Sequence, residues 1–471
     1  MTFLPQKRGG KWIPRGRDST PWRKQSQAVE LPVGPSLTTI AHADIGFGAE
    51  FDKDSALIDS CEYMASYSWK AVKRPTILVP GLRLINVRLQ GKPPAWSPPA
   101  QTRQLQADHG DYFRDPNAAR FPQFPTEPAV QAVLMQNPDH SMNDIDIFAC
   151  ASTLGNLLRF ARNIDRPFRF NLELIGNTIF LVRKESSPTA LIEDIRGYGH
   201  TFPESYTSWE PDVKRSSSHQ RIVRYHFGGL NCLVRFGTDG YYKDIAKGGG
   251  EDTQKSPSDT GTTMLEDLEE LTVSGAGRPA TTENGAESLL QAEKAGQPIS
   301  QDAILEIKTK HGKFPIDMAD VYPRLWVTQI RNFVLAYHDR GVFNDVRQQD
   351  LHEDVEKWEQ DNNESLCRLV VLLHKIISFA KKNPEAKLEV VRKEGGDLEI
   401  REQAYLGQDT LTEATKARWL TDVESGSGKV IHSEEEEEEF GDAQDYFEDD
   451  DEEPDYTACS ADHCGYCGRS T

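Results

Sequence analysis

Three times this chain runs a strand-like stretch into a glycine-containing pair of residues and straight back. PFRFNLELI and TIFLVRK flank Gly176-Asn177, RIVRYHF and LNCLVRF flank Gly228-Gly229, and LEVVRKEGGDLEIRE turns at Gly395-Gly396. Glycine reaches positive φ without steric cost, so such a pair between β-rich segments predicts a hairpin. Helical patterns lie between and around these hairpins. The chain therefore reads as α+β: a mixed central β-sheet with hairpins and flanking helices.

NDIDIFACASTLGNLLRFAR, from Asn143, places Ile147, Leu154, Leu157, Leu158 and Phe160 at roughly helical spacing. Pro323–Gly341 predicts a second helix, with Leu325, Val327, Ile330, Val334 and Tyr337 for burial. Asn363–Asn383 is strongly amphipathic and closes on lysines, which suit a helix C-terminus. Ala303–Lys310, AILEIKTK, predicts a strand.

These elements sit in a chain of uneven composition. Residues 1–35 read as a basic arm, 36–142 as an irregular Pro-rich part of the core, and 143–244 as the first part of a core domain. Within the second of these, GKPPAWSPP predicts loop. Residues 245–300 read as a disordered acidic insertion, in which MLEDLEELTV can form a short helix. Residues 301–424 read as the second part of the core, and 425–471 as a disordered, acidic, Cys-containing tail. The net charge of −20 comes from the insertion and the tail. Residues 434–455 hold 15 acids and no base, and 245–300 hold 10 acids and 4 bases. Without them the body is about neutral, so a polyanionic ligand is compatible with the overall charge. No run of 18 apolar residues predicts a membrane span, and the N-terminus shows no secretory pattern. The dispersed, odd set of seven cysteines points to a reducing compartment, nucleus or cytoplasm.

AILEIKTK carries the sharpest chemical signal. On a strand, residues two apart share a face, so Leu305 and Ile307 are expected to face the core while Glu306 and Lys308 point together into a cleft. A carboxylate binds a divalent cation, and a nearby ammonium orients a water or stabilises a phosphate. LNCLVRFGTDG supplies Asp239 as a second carboxylate. The plainer reading of Glu-x-Lys is a half-exposed strand with a cross-strand ion pair.

From about Asn143 to about Asp345 the chain resembles the DXO family of RNA 5′-end decapping nucleases. The resemblance rests on four short elements in order: STLGNLL (Ser152–Leu158), GYGHTFPE (Gly197–Glu204), Gly237-Thr238-Asp239, and Glu306-Ile307-Lys308-Thr309. LWVTQIRNF (Leu325–Phe333) and a GVF segment follow. The resemblance implies a nuclease-like core of the PD-(D/E)XK type and a metal cluster of Glu204, Asp239 and Glu306, with the Ile307 carbonyl as a further ligand. Lys308 would stand beside the attacking water and Gln329 would help place it, Arg331 matching equally well by spacing. The metals would be Mg²⁺ or Mn²⁺, the substrate an RNA 5′ end, and a 5′–3′ exoribonuclease a further partner; no membrane is involved.

Two positions depart from the family pattern. Gly237 stands where a carboxylate belongs, and Ala151 where an arginine belongs. Two functions follow: a metal-dependent hydrolase of RNA 5′ ends, or a catalytically weakened homologue that binds RNA or an exoribonuclease. A third, Mg²⁺-diphosphate chemistry through clustered aspartates, would rest on Asp449–Asp455 in the tail. At the ends, Lys7–Lys24 interleaves bases with Trp12 and Trp22, as a nucleic-acid-binding or a merely solubilising arm does. Cys459, His463, Cys464 and Cys467 read as a zinc site or as a free-thiol tail. Glu434–Glu439 reads as a solvated run that can mimic nucleic acid and compete with the basic arm.

Overall fold

The computed structural model describes residues 31–49, 51–80, 92–192, 195, 197–248, 290–294, 298–404 and 409–421. The basic arm up to residue 30, the MLEDLEELTV stretch, and the acidic and Cys-containing tail lie outside them.

The strands are β1 (Ser36–Ile40), β2 (Ile58–Lys70), β3 (Thr76–Val79), β4 (Ala95–Trp96), β5 (Ile147–Cys150), β6 (Phe168–Ile175), β7 (Thr178–Arg183), β8 (Thr207–Ser208) and β9 (Ser216–Phe227). They continue with β10 (Leu230–Gly237), β11 (Gly240–Tyr241), β12 (Gln291–Lys294), β13 (Ile304–His311), β14 (Asn332–Asp339), β15 (Val342–Asp350), β16 (Leu388–Arg392) and β17 (Leu398–Glu402). The helices are α1 (Pro116–Arg120), α2 (Glu127–Gln136), α3 (Ala151–Ala161), α4 (Thr201–Tyr206), α5 (Lys243–Gly248), α6 (Met318–Thr328), α7 (His352–Asp361), α8 (Asn363–Lys382) and α9 (Glu413–Trp419).

The strands form two mixed sheets. The larger runs β1-β17-β16-β6-β7-β5-β10-β9-β2-β3-β12, the smaller β15-β14-β13-β11-β4-β8. All three predicted hairpins are present, as β6–β7, β9–β10 and β16–β17, and they supply six strands of the larger sheet, four in a row and two more beyond β5. α8 covers that sheet with Leu366, Leu369, Leu372, Leu373 and Ile376 buried. At about 1.5–3 kcal/mol for each fully buried large apolar side chain, this one face contributes substantially to the core. Mixed sheets, hairpins and flanking helices are thus the fold class that the pattern predicts. None of the described helices is long and apolar enough to cross a membrane.

Three local expectations change. The predicted helix over Pro323–Gly341 ends at Thr328, and residues Asn332–Asp339 are strand β14. NFVLA is buried on both faces, so the run lacks strand alternation and reads equally well as helix. Ile147 belongs to β5, and the helix starts only at Ala151. The Pro-rich part holds the 13-residue strand β2 and the helix α2, and β12 pairs with β3 from within the stretch 245–300.

The connection that matters for the site is between β10 and β11. β10 lies in the larger sheet, β11 in the smaller, and only Thr238 and Asp239 separate them. Gly240 follows directly: a Cβ there would stand 3.0 Å from the Pro94 carbonyl and 3.4 Å from Leu305. A side chain at that point would crowd β11 against its neighbours β4 and β13 in the smaller sheet.

Candidate functional site

β13 behaves as its alternation predicts. Leu305 and Ile307 enter an apolar cluster with Phe202, Tyr206, Val334 and Phe343. Glu306 and Lys308 lie on the other face; Glu306 is 1 % exposed and Lys308 half-buried. Beyond Leu305, β13 is not laddered to β11, whose pairing stops at Gly240–Leu305. The carboxylate of Asp239 takes over there, accepting the Ile307 N–H at 2.8 Å. The sheet switch thus brings Asp239 and Glu306 onto adjoining strands.

A buried carboxylate needs a partner, and Glu306 has Arg324 from α6. Nε donates to Oε1 at 2.5 Å and Nη2 to Oε2 at 3.1 Å. Arg324 is itself 8 % exposed. This bidentate geometry is the strongest a guanidinium and a carboxylate can make.

The other expected site residues stand as follows. Glu204 is exposed in the first turn of α4. Gln329 ends α6 in the left-handed conformation, φ 53°, and its amide donates to the Trp326 carbonyl at 2.6 Å, capping its own helix. Arg331 pairs with Asp350 on β15. Among the described residues, no three His, Cys, Asp or Glu side chains gather as a metal-holding group.

Gly237 and Ala151, the two departures from the family pattern, line one cleft. It has a volume of about 60 Å³, far below the ~300 Å³ or more of sites for drug-sized molecules. The ends of β5, β7 and β10, the starts of α1 and α3, Gln220 within β9 and Arg324 of α6 form it. Cys150 of β5 lies beside Arg235 of β10, and Gly237 of β10 beside Gln220 of β9. α3 begins at Ala151, so its first N–H groups belong to the cleft wall. Arg114, Arg183, Arg235 and Arg324 all line the cleft, with Asp115 the carboxylate in its lining; Arg183 pairs with Glu185 and Arg324 with Glu306. Asp115 is committed to capping α1, accepting from the Asn117 and Ala118 N–H groups.

Burial works against the charge on Arg235, but Tyr67, Asp115 and Cys150 beside it more than offset this and hold its pKa above the usual arginine value. Burial pushes Tyr67 itself up to about 12, against the pull of Arg235. The Gln220 amide is 6 % exposed and makes no hydrogen bond among the described residues. A buried amide facing guanidinium groups suits the oxygens of an anion.

The residues present therefore do not fit a two-metal centre. Gly237 offers no ligand atom from a side chain, and Arg324 occupies both oxygens of Glu306. The chemistry of the cleft is that of a small anion site. Sequence patterning missed Arg324, Arg114 and Gln220, whereas Arg235 is, with Arg159 and Arg162, one of the guanidinium groups the sequence offers in place of the arginine missing at Ala151. Gln220 carries no signal in the sequence, because it lies in the polar run SSSHQR that opens β9, whereas Arg235 is a lone cation in the largely apolar LNCLVRF of β10.

Solved structures that the chain is similar to include Rai1 of S. pombe, at 13% identity over 78% of this chain and 99% of that one, TM-score 0.47. Another is Rai1 of Scheffersomyces stipitis in complex with (3′-NADP)+ and calcium ion, at 11% identity over 83% and 99%, TM-score 0.48. A third is Dxo1 of K. lactis in complex with manganese, at 8% identity over 78% and 96%, TM-score 0.40. No curated protein matches the chain. A family model described as "Domain of unknown function (DUF8563)" matches residues 52–399, and the chain belongs to that family.

Proposed function

We propose that this chain recognises the phosphate-bearing 5′ end of an RNA. The observation that carries this reading is the cleft between Ala151 and Gly237, walled by four arginines. A phosphate there meets guanidinium donors, the Gln220 amide and the start of α3, all of which favour an anion. The ordered motifs and their resemblance to the decapping nucleases support RNA over other phosphates. The Arg324–Glu306 pair supports binding over metal-assisted hydrolysis, because a guanidinium stands where a metal-held carboxylate would otherwise have to be open. An exoribonuclease partner rests on the resemblance alone.

The test uses the full chain with 5′-monophosphate, 5′-triphosphate, capped and NAD-capped RNA, each with and without Mn²⁺. Binding that needs the 5′ phosphate, needs no metal and yields no product is the expected result. Manganese-dependent product that disappears in Glu306→Ala would overturn it in favour of the metal-dependent hydrolase that the resemblance implies.

A further inference from the structure

The cleft has a neighbour on the same two helices. Ala151, Gly155, Arg159 and Arg162 follow one another along one face of α3 at helical spacing. Ala151 lines the cleft, whereas Gly155, Arg159 and Arg162 line a second and much larger cavity of about 630 Å³. α6 repeats the arrangement. Arg324 lines the cleft, while Pro323, its chain neighbour, and Ala319 and Asp320 line the second cavity. α3 packs directly on α6. The two cavities thus stand end to end along one helix seam, and α3 rises about 16 Å between Ala151 and Arg162.

The larger cavity mixes guanidinium groups with apolar surface. Arg159, Arg162 and Arg166 supply the first, and Ile164, 39 % exposed, Pro167 and Pro323 the second. Its acids are Asp165, Asp320 and Glu394. Asp165 is engaged in holding the β16–β17 turn, accepting from the Gly395 N–H and pairing with Arg392 at 3.3 Å. Asp320 lies in the first turn of α6, where a carboxylate complements the helix dipole. Arg162 lies over the Trp358 ring at 5.7 Å, which fixes it against α7. Guanidinium groups beside an apolar wall suit a single strand, with phosphates on the cations and bases lying against Ile164 and the two prolines.

We propose that the groove between α3 and α6 carries the nucleotides that follow the phosphate held in the cleft, so that the ligand is a short single-stranded RNA segment and not a free nucleotide. This rests on the reading of the cleft as a 5′-phosphate site. The groove takes the strand in one direction: the 5′ phosphate at the start of α3, later nucleotides toward Arg162.

The experiment measures binding of 3′-labelled pU, pU5 and unphosphorylated U5 to the full chain by fluorescence anisotropy. The expected result is pU5 binding at least tenfold more tightly than pU, with that ratio collapsing toward one in Arg162→Glu and, as a second variant free of the Trp358 contact, in Arg166→Glu. Binding of pU and pU5 with equal affinity would overturn the groove while leaving the cleft reading standing. Absence of binding by both would overturn the two together. Equal binding of U5 and pU5 would overturn the proposed anchoring, and equal binding of a poly-glutamate peptide would reduce the groove to a charged surface.

Discussion

Arg324 grips Glu306 from 18 residues away in sequence, with both prongs of its guanidinium on both carboxylate oxygens, and the pair is shut away from solvent. Removing one member strands the other as a buried charge. Arg324→Ala is therefore expected to destabilise the fold by about 3–5 kcal/mol, whereas the double variant Glu306→Leu with Arg324→Met costs less than either single change. Urea unfolding followed by tryptophan fluorescence measures both. A loss below about 1 kcal/mol in Arg324→Ala would show that the pair is not the buried partnership described.

Gly237 allows the converse experiment. Its backbone is outside the left-handed region, and a Cβ there would meet its nearest neighbour, Gln220 Nε2, at an ordinary 3.5 Å. Gly237→Glu is thus expected to fold and to add a carboxylate at the end of β10, two residues before Asp239. Combined with Arg324→Gln, which releases Glu306 without emptying the space, it creates three carboxylates near one another. Titration calorimetry should then show Mn²⁺ binding at least tenfold stronger than in the natural chain. Equal Mn²⁺ affinity in the two proteins would mean that position 237 does not decide metal binding.

What was legible in the sequence was local. The glycine pairs announced the hairpins because only a few turn geometries join two strands so tightly, and α8 announced itself by a long apolar stripe. Glu306 and Lys308 could be put on one face from the strand period alone. The limits are physical as well. β14 is buried on both faces, so it carries no alternation, and its run FVLA matched a helix. Gln329 seemed free to hold a water, but a left-handed residue that closes a helix turns its amide back to that helix. Arg324 is an ordinary helix residue in sequence; only the packing of α6 over β13 makes it the partner of Glu306. The arginine cleft draws its walls from six separate stretches of chain, and no spacing rule reports such a meeting.

His219 predicts a pH dependence. It is 1 % exposed on β9, with Nδ1 2.9 Å from the Ser68 hydroxyl, and burial followed by the nearby Arg221 charge pushes its pKa down to about 3. The unfolded chain takes up a proton near pH 6.5 and the folded one does not until near pH 3. Stability from this group is therefore full above pH 6.5 and is lost as pH falls from there toward 3, at up to about 1.4 kcal/mol per unit. His219→Gln should flatten the unfolding free energy between pH 6.5 and 4.5, where the natural chain loses about 2 kcal/mol more than the variant. Parallel curves for the two proteins across that range would rule out His219 as the source.

The cleft itself predicts a salt signature. If its arginines neutralise RNA phosphates, each releases condensed counterions, and for single strands log K falls with log salt at a slope of about −0.7 per phosphate neutralised. Arg114 is the wall residue to change, because in the fold its Nε makes a 3.2 Å bond to the exposed Leu191 carbonyl, whereas Arg235 and Arg324 hold buried groups. Arg114→Gln is expected to weaken binding of 5′-phosphorylated RNA several-fold at low salt and to make the slope shallower by about 0.7, with unfolding free energy unchanged to within about 0.5 kcal/mol. The measurement is a set of anisotropy titrations between 50 and 300 mM salt, beside a denaturant curve. A weaker affinity with an unaltered slope would mean that Arg114 acts by shaping the cleft and does not meet a phosphate.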